Sequence, residues 1–161
     1  MTVFDVITYY QNLPRRYLGA GALITDDNDR ILLVEPAYKP TWEIPGGSVD
    51  ASEAPRTACQ RELGEELSLY RTIGPLLVMD HQTQDEPRGD SIMFIYDGGT
   101  LDDTLIATLR LPDTELVSFR FVDACDLDQF TRPTLASRIR IALRARHEGT
   151  LIECHNSDPL V

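Results

Sequence analysis

The sequence predicts a single α/β domain, residues 1–161, in which a mixed β-sheet is combined with helices. A length of 161 residues suits one domain with a substantial buried core. Several short apolar segments bounded by turn residues indicate strands, and their number suits a mixed sheet. Two longer segments, at about 52–67 and about 131–147, carry apolar residues at helical spacing.

The first half of the chain predicts a β-hairpin. Residues 17–25 are largely apolar and end at the turn-rich Asp26-Asp27-Asn28-Asp29, and residues 30–35 carry Ile31-Leu32-Leu33-Val34. Two apolar runs separated by such residues are typical of hairpin strands. Residues 2–10 are compatible with either a strand or a short helix. Residues 35–41 contain two prolines and predict a loop that leads to Trp42.

The second half of the chain carries four further segments that are typical of strands, at 73–79, 91–96, 105–111 and 115–122. The polar residues 80–90 between two of them predict a hairpin end. Asp97-Gly98-Gly99 predicts a turn. The last long helix is expected to begin near Pro133 and to close at Gly149, which follows the usual preference for Pro at the start and Gly after the end. Its four arginines predict a solvated face: Arg138, Arg140, Arg144 and Arg146.

The segment from Trp42 to Leu69 is where residue type and spacing together indicate chemistry. Pro45-Gly46-Gly47 precedes a helix over 52–67, with Ser52 near the N-cap and Pro55 in the first turn. At about 100° per residue, an apolar stripe runs along this helix through Cys59, Leu63 and Leu67.

Three glutamates lie near this stripe, and two of them, Glu62 and Glu66, border it directly. An ordinary solvated helix places its acids opposite the apolar face. Glu62 forms like-charged pairs with Glu66 and Glu65, close to a helix C-terminus that is already negative. The alternative to a functional site is an ordinary solvated helix end that happens to be acidic. A hard divalent cation bound by carboxylate oxygens would turn this repulsion into ligation.

The spacing of Gly47, Glu53 and Arg61-Glu62-Leu63-x-Glu65-Glu66-x-x-Leu69 resembles the Nudix box, the signature of the MutT-like Nudix hydrolases. The box ordinarily has Gly where this chain has Ser68, a difference that concerns the helix C-cap and leaves the acids in place. The resemblance implies a Nudix-type α/β/α sandwich with a mixed sheet between helices. It also implies metal-dependent hydrolysis of a diphosphate that links a nucleoside to another moiety.

The resemblance also implies roles for individual residues. Glu62, Glu65 and Glu66 would bind Mg²⁺, with Mn²⁺ as the alternative, and the Gly46 backbone carbonyl is a candidate additional ligand. Arg61 and Glu53 would orient the catalytic groups, although an ion pair between Arg61 and Glu65 at the surface is the simpler alternative. Glu62 is the leading candidate for the general base. In some members the base lies outside the box, and four acids here could serve: Asp85, Glu86, Asp90 and Glu115.

Recognition of the attached moiety must come from outside the box, which has no large stacking surface. Two segments are candidates: residues 38–42, with Tyr38, Lys39 and Trp42, and the polar residues 80–90, with Arg88. An aromatic ring can stack on a base, and an arginine can bind a phosphate with two hydrogen bonds. The alternative is that these side chains are simply exposed.

Charge and composition restrict the partners. Fifteen Lys and Arg against 26 Asp and Glu give a net charge of −11, which disfavours binding of extended nucleic acid. The expected partner is a small nucleoside diphosphate derivative, and a homodimer is left open. Cys59, Cys125 and Cys154 lack metal-ligand spacing and predict reduced thiols in a cytoplasmic protein. The sequence predicts neither a membrane span nor a targeting segment.

Two functions other than hydrolysis fit the same domain. A non-catalytic Nudix-fold sensor would bind a nucleotide-like ligand, but such a protein is expected to lose acids of the box, and this chain retains them. A structural or interaction domain would leave the acid cluster without compensation. Metal-dependent phosphate release from a diphosphate panel separates the three.

Overall fold

The computed structural model describes residues 5–84, 89–112 and 114–160, which form a mixed β-sheet with helices on both faces. The strands are β1 (Tyr17–Asp26), β2 (Ile31–Pro36), β3 (Gly46–Ser48), β4 (Leu76–Gln82), β5 (Ser91–Leu101), β6 (Leu116–Val122), β7 (Ile152–His155) and β8 (Asp158–Pro159). The helices are α1 (Val6–Gln11), α2 (Pro55–Leu67), α3 (Asp103–Ile106), α4 (Leu127–Phe130) and α5 (Pro133–Glu148).

The strand order in the sheet is β6-β2-β1-β5-β4-β7-β8, and β3 pairs separately with β1. The pairs β1–β5 and β4–β7 are parallel, whereas the other pairs are antiparallel. The mixed sheet predicted from the sequence is therefore confirmed. The predicted hairpin is also present, with Thr25 of β1 opposite Ile31 of β2.

Alternation along the strands builds one apolar core on each face of the sheet. Ala20, Ala22 and Ile24 of β1 belong to the core that contains the stripe of α2, formed by Ala58, Cys59, Leu63 and Leu67. Leu23 points to the opposite face and belongs to the core that contains Leu135 and Ile139 of α5. The sheet thus lies between α2 and α5, as expected for an α/β/α sandwich.

Two of the predicted elements were wrong, and a third is shorter than predicted. Residues 105–111 do not form a strand, because the Asp102 side chain accepts a hydrogen bond from the Leu105 backbone N–H and begins α3 instead. Asp97-Gly98-Gly99 continues β5 rather than ending it, with an irregular register against β1 and a φ of 75° at Gly99. The predicted polar loop 80–90 is shorter, because β4 extends to Gln82.

Only the N-terminal end of α2 differs from the prediction. Ala54 is the N-cap residue and makes no side-chain cap hydrogen bond, while Ser52, expected near the cap, lies outside the helix with a φ of 68°. Pro55 occupies the first turn as predicted. Ser68 adopts the left-handed conformation, φ 54°, that the box glycine would supply, and its N–H bonds to the Gly64 carbonyl. The helix therefore ends where the resemblance requires.

The two chain ends add elements that the sequence left open. Residues Val6–Gln11 form the helix α1, which resolves the choice between strand and helix. The tail after Gly149 adds β7 and β8 to the sheet edge. Within the part of the chain that the structure describes, no helix has both the length and the apolar composition needed to cross a membrane.

Candidate active site

A cavity of about 490 Å³ opens where β1 and β2 diverge. The two strands pair at Thr25 and Ile31, next to their turn, and the segment 43–48 fills the widening space between them. Glu43 exchanges two backbone hydrogen bonds with Val34 of β2, at 2.8 and 3.0 Å. The strand β3 pairs with Gly19–Gly21 of β1. The cavity is therefore enclosed by the sheet and by the loop that precedes α2.

Two glycines allow this loop to approach α2. Gly46 has a φ of 142°, and a Cβ there would collide with the backbone of Ala20 and Gly21. A Cβ on Gly47 would occupy the place of the Glu62 carboxylate. The Gly46 N–H donates a hydrogen bond of 2.8 Å to Glu66 Oε2. The glycine pair thus brings backbone into direct contact with the acids of the helix.

Four carboxylates line a second cavity of about 210 Å³, namely Glu62, Glu65 and Glu66 from α2 and Glu115 from the residue before β6. Glu66, Glu115 and Leu116 also line the larger cavity, so the two cavities are neighbours. A hydrogen bond of 2.8 Å from the Ala37 N–H to the Glu115 carbonyl holds Glu115 in this position. The box acids are therefore joined by one acid that is distant in sequence.

Burial and mutual repulsion change the protonation of these acids. Burial, together with the charges of Glu62 and Glu115, raises the pKa of Glu66 to about 8 against the hydrogen bond from Gly46, which lowers it. The pKa of Glu62 is also raised, first by burial, although the Arg61 guanidinium opposes the change. The nearby charge of Lys39 opposes the rise at Glu66 but does not cancel it.

Arg61 compensates the outer side of the cluster. Its Nε and Nη2 donate to the two oxygens of Glu53, both at 3.1 Å. Its Nη1 donates to Glu62 and to Glu65, both at 2.9 Å. Its Nη2 also donates to the Ser48 carbonyl at 3.1 Å, and the hydrogen bonds from Arg61 lower the pKa of Glu53. Arg61 thus does more than form the surface pair with Glu65: it joins the loop to three carboxylates.

The donor atoms of these residues suit a divalent cation, but their side chains are not yet arranged around one. Within residues 5–84, 89–112 and 114–160, no three His, Cys, Asp or Glu side chains are arranged to hold a metal ion. Glu62 and Glu65 are turned towards Arg61, and Glu66 towards Gly46. Carboxylate oxygens are nevertheless the donors that Mg²⁺ and Mn²⁺ prefer. Ligation would require side-chain rotation, which Glu65, with 58% of its side chain exposed, can make at small cost.

The candidate recognition residues lie in different surroundings. Tyr38 and Lys39 line the 490 Å³ cavity, and Lys39 Nζ lies 2.9 Å from Glu43 Oε1. Trp42 packs edge-on against Phe130, with ring centroids 5.9 Å apart, and so contributes to the core below α5. Arg88 lies outside the described residues.

Of the four acids considered as an alternative base, only Glu115 lies with the box acids among those that the structure describes. Asp90 forms an ion pair with Arg16 at 3.3 Å. Asp85 and Glu86 lie outside the described residues.

Arg138 was expected on a solvated face, and this prediction was wrong. Its side chain is only 9% exposed, lines the large cavity, and donates from Nε to Oδ2 of the fully buried Asp80 at 2.7 Å. The signal was available in the sequence. At about 100° per residue, Arg138 borders the apolar stripe of Leu135 and Ile139, as Glu62 borders that of α2.

Residues 15–145 match the NUDIX domain, and the chain therefore belongs to the Nudix family. Its α2 and the preceding loop carry the residues that resemble the Nudix box of that family. The match covers most of the chain, which agrees with the box and with the α/β/α sandwich described above.

Individual relatives are similar over shorter stretches or at lower identity. An RNA pyrophosphohydrolase from Halorhodospira halophila is 39% identical over 51 residues, which are 32% of this chain and 28% of that protein. The match thus spans little more than a quarter of the length of this relative. A MutT protein from Methanosarcina mazei Go1 has a TM-score of 0.66 at 21% identity, over 86% of this chain and 99% of the other. The NUDIX domain of Shewanella oneidensis NrtR, solved with ADP ribose, has a TM-score of 0.65 at 18% identity, over 91% and 100%.

Proposed function

We propose that this protein is a divalent-metal-dependent pyrophosphohydrolase that cleaves a diphosphate linkage in a nucleoside diphosphate derivative. The observation that carries the proposal is the pair of neighbouring cavities that share Glu66 and Glu115. The smaller cavity offers four carboxylates for cations, and the larger one has a volume in the range of small-molecule sites.

The carboxylates supply what hydrolysis of a diphosphate needs from the protein. Glu62, Glu65 and Glu66 would hold the metal, with the Gly46 carbonyl as an additional donor. The bound cation would neutralise phosphate oxygens and favour deprotonation of the attacking water. A magnesium ion is the expected occupant, with manganese as the alternative, because the donors are all hard oxygens.

The general base is assigned to Glu62, with Glu115 as the alternative. Both carboxylates line the small cavity, and each can accept a proton from a water held between them. Arg61 and Glu53 act as positioning residues. Arg61 donates two hydrogen bonds to Glu53 and one each to Glu62 and Glu65. Because one guanidinium makes all four, it fixes the orientation of the acids.

A nucleotide sensor without hydrolytic activity is the other candidate. The complex of the NrtR domain with ADP ribose makes binding of such a ligand a relevant comparison. Retention of every acid of the box supports hydrolysis instead, because a binding site for an anionic diphosphate gains nothing from buried carboxylates that lack a cation.

A substrate screen with and without metal tests the proposal. The protein would be incubated with nucleoside diphosphate sugars, dinucleoside polyphosphates and nucleoside triphosphates in Mg²⁺, in Mn²⁺ and in EDTA, and released phosphate or nucleotide would be measured. Hydrolysis that requires metal and is lost in Glu66→Gln is expected. Glu148→Gln, at an exposed position at the end of α5, is the matched control. Binding of these compounds without any turnover would identify a sensor.

A further inference from the structure

Two nitrogens of the Arg138 guanidinium make no hydrogen bond to the residues that the structure describes. Its Nε donates to Asp80 Oδ2, but neither Nη1 nor Nη2 has a hydrogen-bond acceptor among the residues that the structure describes. Neither nitrogen is fully buried, because the fully buried side-chain atoms that lack a hydrogen-bond partner among the described residues are Glu43 Oε1 and Ser91 Oγ. A side chain that is nine-tenths buried and lines the cavity thus carries four N–H groups without an acceptor among the described residues.

The anchor of Arg138 holds this donor pair rigidly. Asp80 is fully buried and accepts four hydrogen bonds: from Arg138 Nε at 2.7 Å, from Gln82 Nε2 at 2.7 Å, and from the Ser157 Oγ and backbone N–H, both at 3.0 Å. The carboxylate is therefore satisfied on both oxygens. Because it compensates the charge of Arg138 from behind, the front of the guanidinium is a directional donor rather than a free positive charge.

The surroundings of Arg138 are those of a base pocket. Apolar side chains that line the same cavity include Met93, Ile95 and Leu135, and Tyr17 stands at its wall. The other cations of the cavity are engaged, because Lys39 Nζ and Arg132 Nη2 lie 2.9 and 3.5 Å from Glu43 Oε1. Next to these apolar walls, the donor fork formed by Nη1 and Nη2 of Arg138 suits a flat, uncharged group with two adjacent acceptors.

We propose that Arg138 is a specificity residue that reads the base of the substrate through two parallel hydrogen bonds. Among natural bases, guanine presents such an acceptor pair at O6 and N7, which is the pair that arginine binds with both nitrogens in other settings. The inference rests on the function proposed above, since it assigns the remote end of the nucleotide whose diphosphate lies at the box. Glu66 of α2 and Arg138 of α5 line one cavity from opposite faces of the sheet, so a single ligand can touch both.

A purely structural ion pair is the competing explanation. In that case Arg138 would only neutralise Asp80, and its Nη groups would bind water. A phosphate bound at Arg138 is a second alternative, because a guanidinium binds phosphate oxygens as well. The three explanations differ in which ligand loses affinity when the fork is removed.

Binding of hydrolysis-resistant analogues in Mg²⁺ separates them. Isothermal titration would compare guanosine α,β-methylenediphosphate, its 7-deaza counterpart, which lacks the N7 acceptor, and methylenediphosphonate alone. The proteins would be wild type, Arg138→Lys, which retains a cation for Asp80 but not the fork, and the exposed-position control Arg144→Lys on the same helix. Thermal melts would establish that each variant is folded.

Wild type should bind the guanosine analogue about tenfold or more tightly than the 7-deaza analogue, which is the usual scale for a bidentate contact. Arg138→Lys should remove this preference and leave the affinity for methylenediphosphonate within about twofold, whereas Arg144→Lys should behave as wild type. Equal affinity of wild type for the two guanosine analogues would overturn the proposal whether or not any variant folds. A parallel loss of methylenediphosphonate binding in Arg138→Lys would make it a phosphate site and overturn it as well. Since no turnover is needed, failure here is distinct from failure of hydrolysis in the substrate screen.

Discussion

Glu66→Gln should stabilise the metal-free protein, and by more at higher pH. The folded protein raises the pKa of Glu66 from 4.5 to about 8. Between these values the unfolded chain has released the proton that the folded chain still holds, so this group makes folding less favourable as the pH rises. Each pKa unit corresponds to about 1.4 kcal/mol, and at pH 7 the group would therefore cost about 3 kcal/mol relative to pH 4. Glutamine carries no charge and can still accept the hydrogen bond from Gly46.

Urea unfolding in EDTA at pH 5, 6, 7 and 8 measures this effect. The difference in the free energy of unfolding between Glu66→Gln and wild type should widen steadily from pH 5 to pH 8. Glu148→Gln should parallel wild type at each pH. Mg²⁺ should then stabilise wild type more at pH 8 than at pH 6, because metal ligands must be deprotonated, and should stabilise Glu66→Gln far less. If wild type and Glu66→Gln have parallel pH profiles in EDTA, the pKa of Glu66 is not raised in the folded protein.

Three further predictions concern the box and the thiols. Arg61→Lys cannot keep the contacts with both Glu53 and Glu62, so kcat on the best substrate should fall about 10- to 100-fold with a smaller change in KM; an unchanged kcat would contradict the positioning role. Gly47→Ala should displace the Glu62 carboxylate and weaken Mg²⁺-induced stabilisation while costing roughly 1–3 kcal/mol of stability, and a variant with wild-type metal response would show that Glu62 has room to move. In a thiol titration of the native protein only the exposed Cys125 should react quickly, since the other two cysteines are buried with pKa values of about 12 and about 11, and modified protein should retain activity.

The sequence could predict those features whose cause is local. The stripe on α2, the first-turn Pro55 and the order of acids around Glu62 all depend on residues within a few turns of one another, and helical periodicity places them without further information. The same holds for the hairpin of β1 and β2 and for α5. Ser68 ends α2 in place of glycine because one left-handed residue costs only about 1–2 kcal/mol, which the packing of the helix can offset.

Errors arose where a local pattern was overridden by the tertiary context. The glycines after Asp97 resemble a turn, but pairing with β1 carries β5 through them with one irregularity. Residues 105–111 look like a strand, yet no neighbouring edge engages them, and the Asp102 cap starts a short helix instead. Strand assignment depends on a partner elsewhere in the chain, and the sequence of the segment alone does not contain that partner.

The residues of the site also fall into a locally determined group and a group that only the tertiary structure brings in. The sequence determined the box acids, Arg61 and the glycine loop, because all of them lie within about 20 residues and their mutual position follows from one helix and one turn. Only the tertiary structure brought Glu115 to the box acids and placed Arg138 on Asp80, 58 residues away, below the same cavity. The physical reason is that a cavity between diverging strands is closed by packing of both helices on the sheet, and packing is set by the whole chain rather than by any one segment of it.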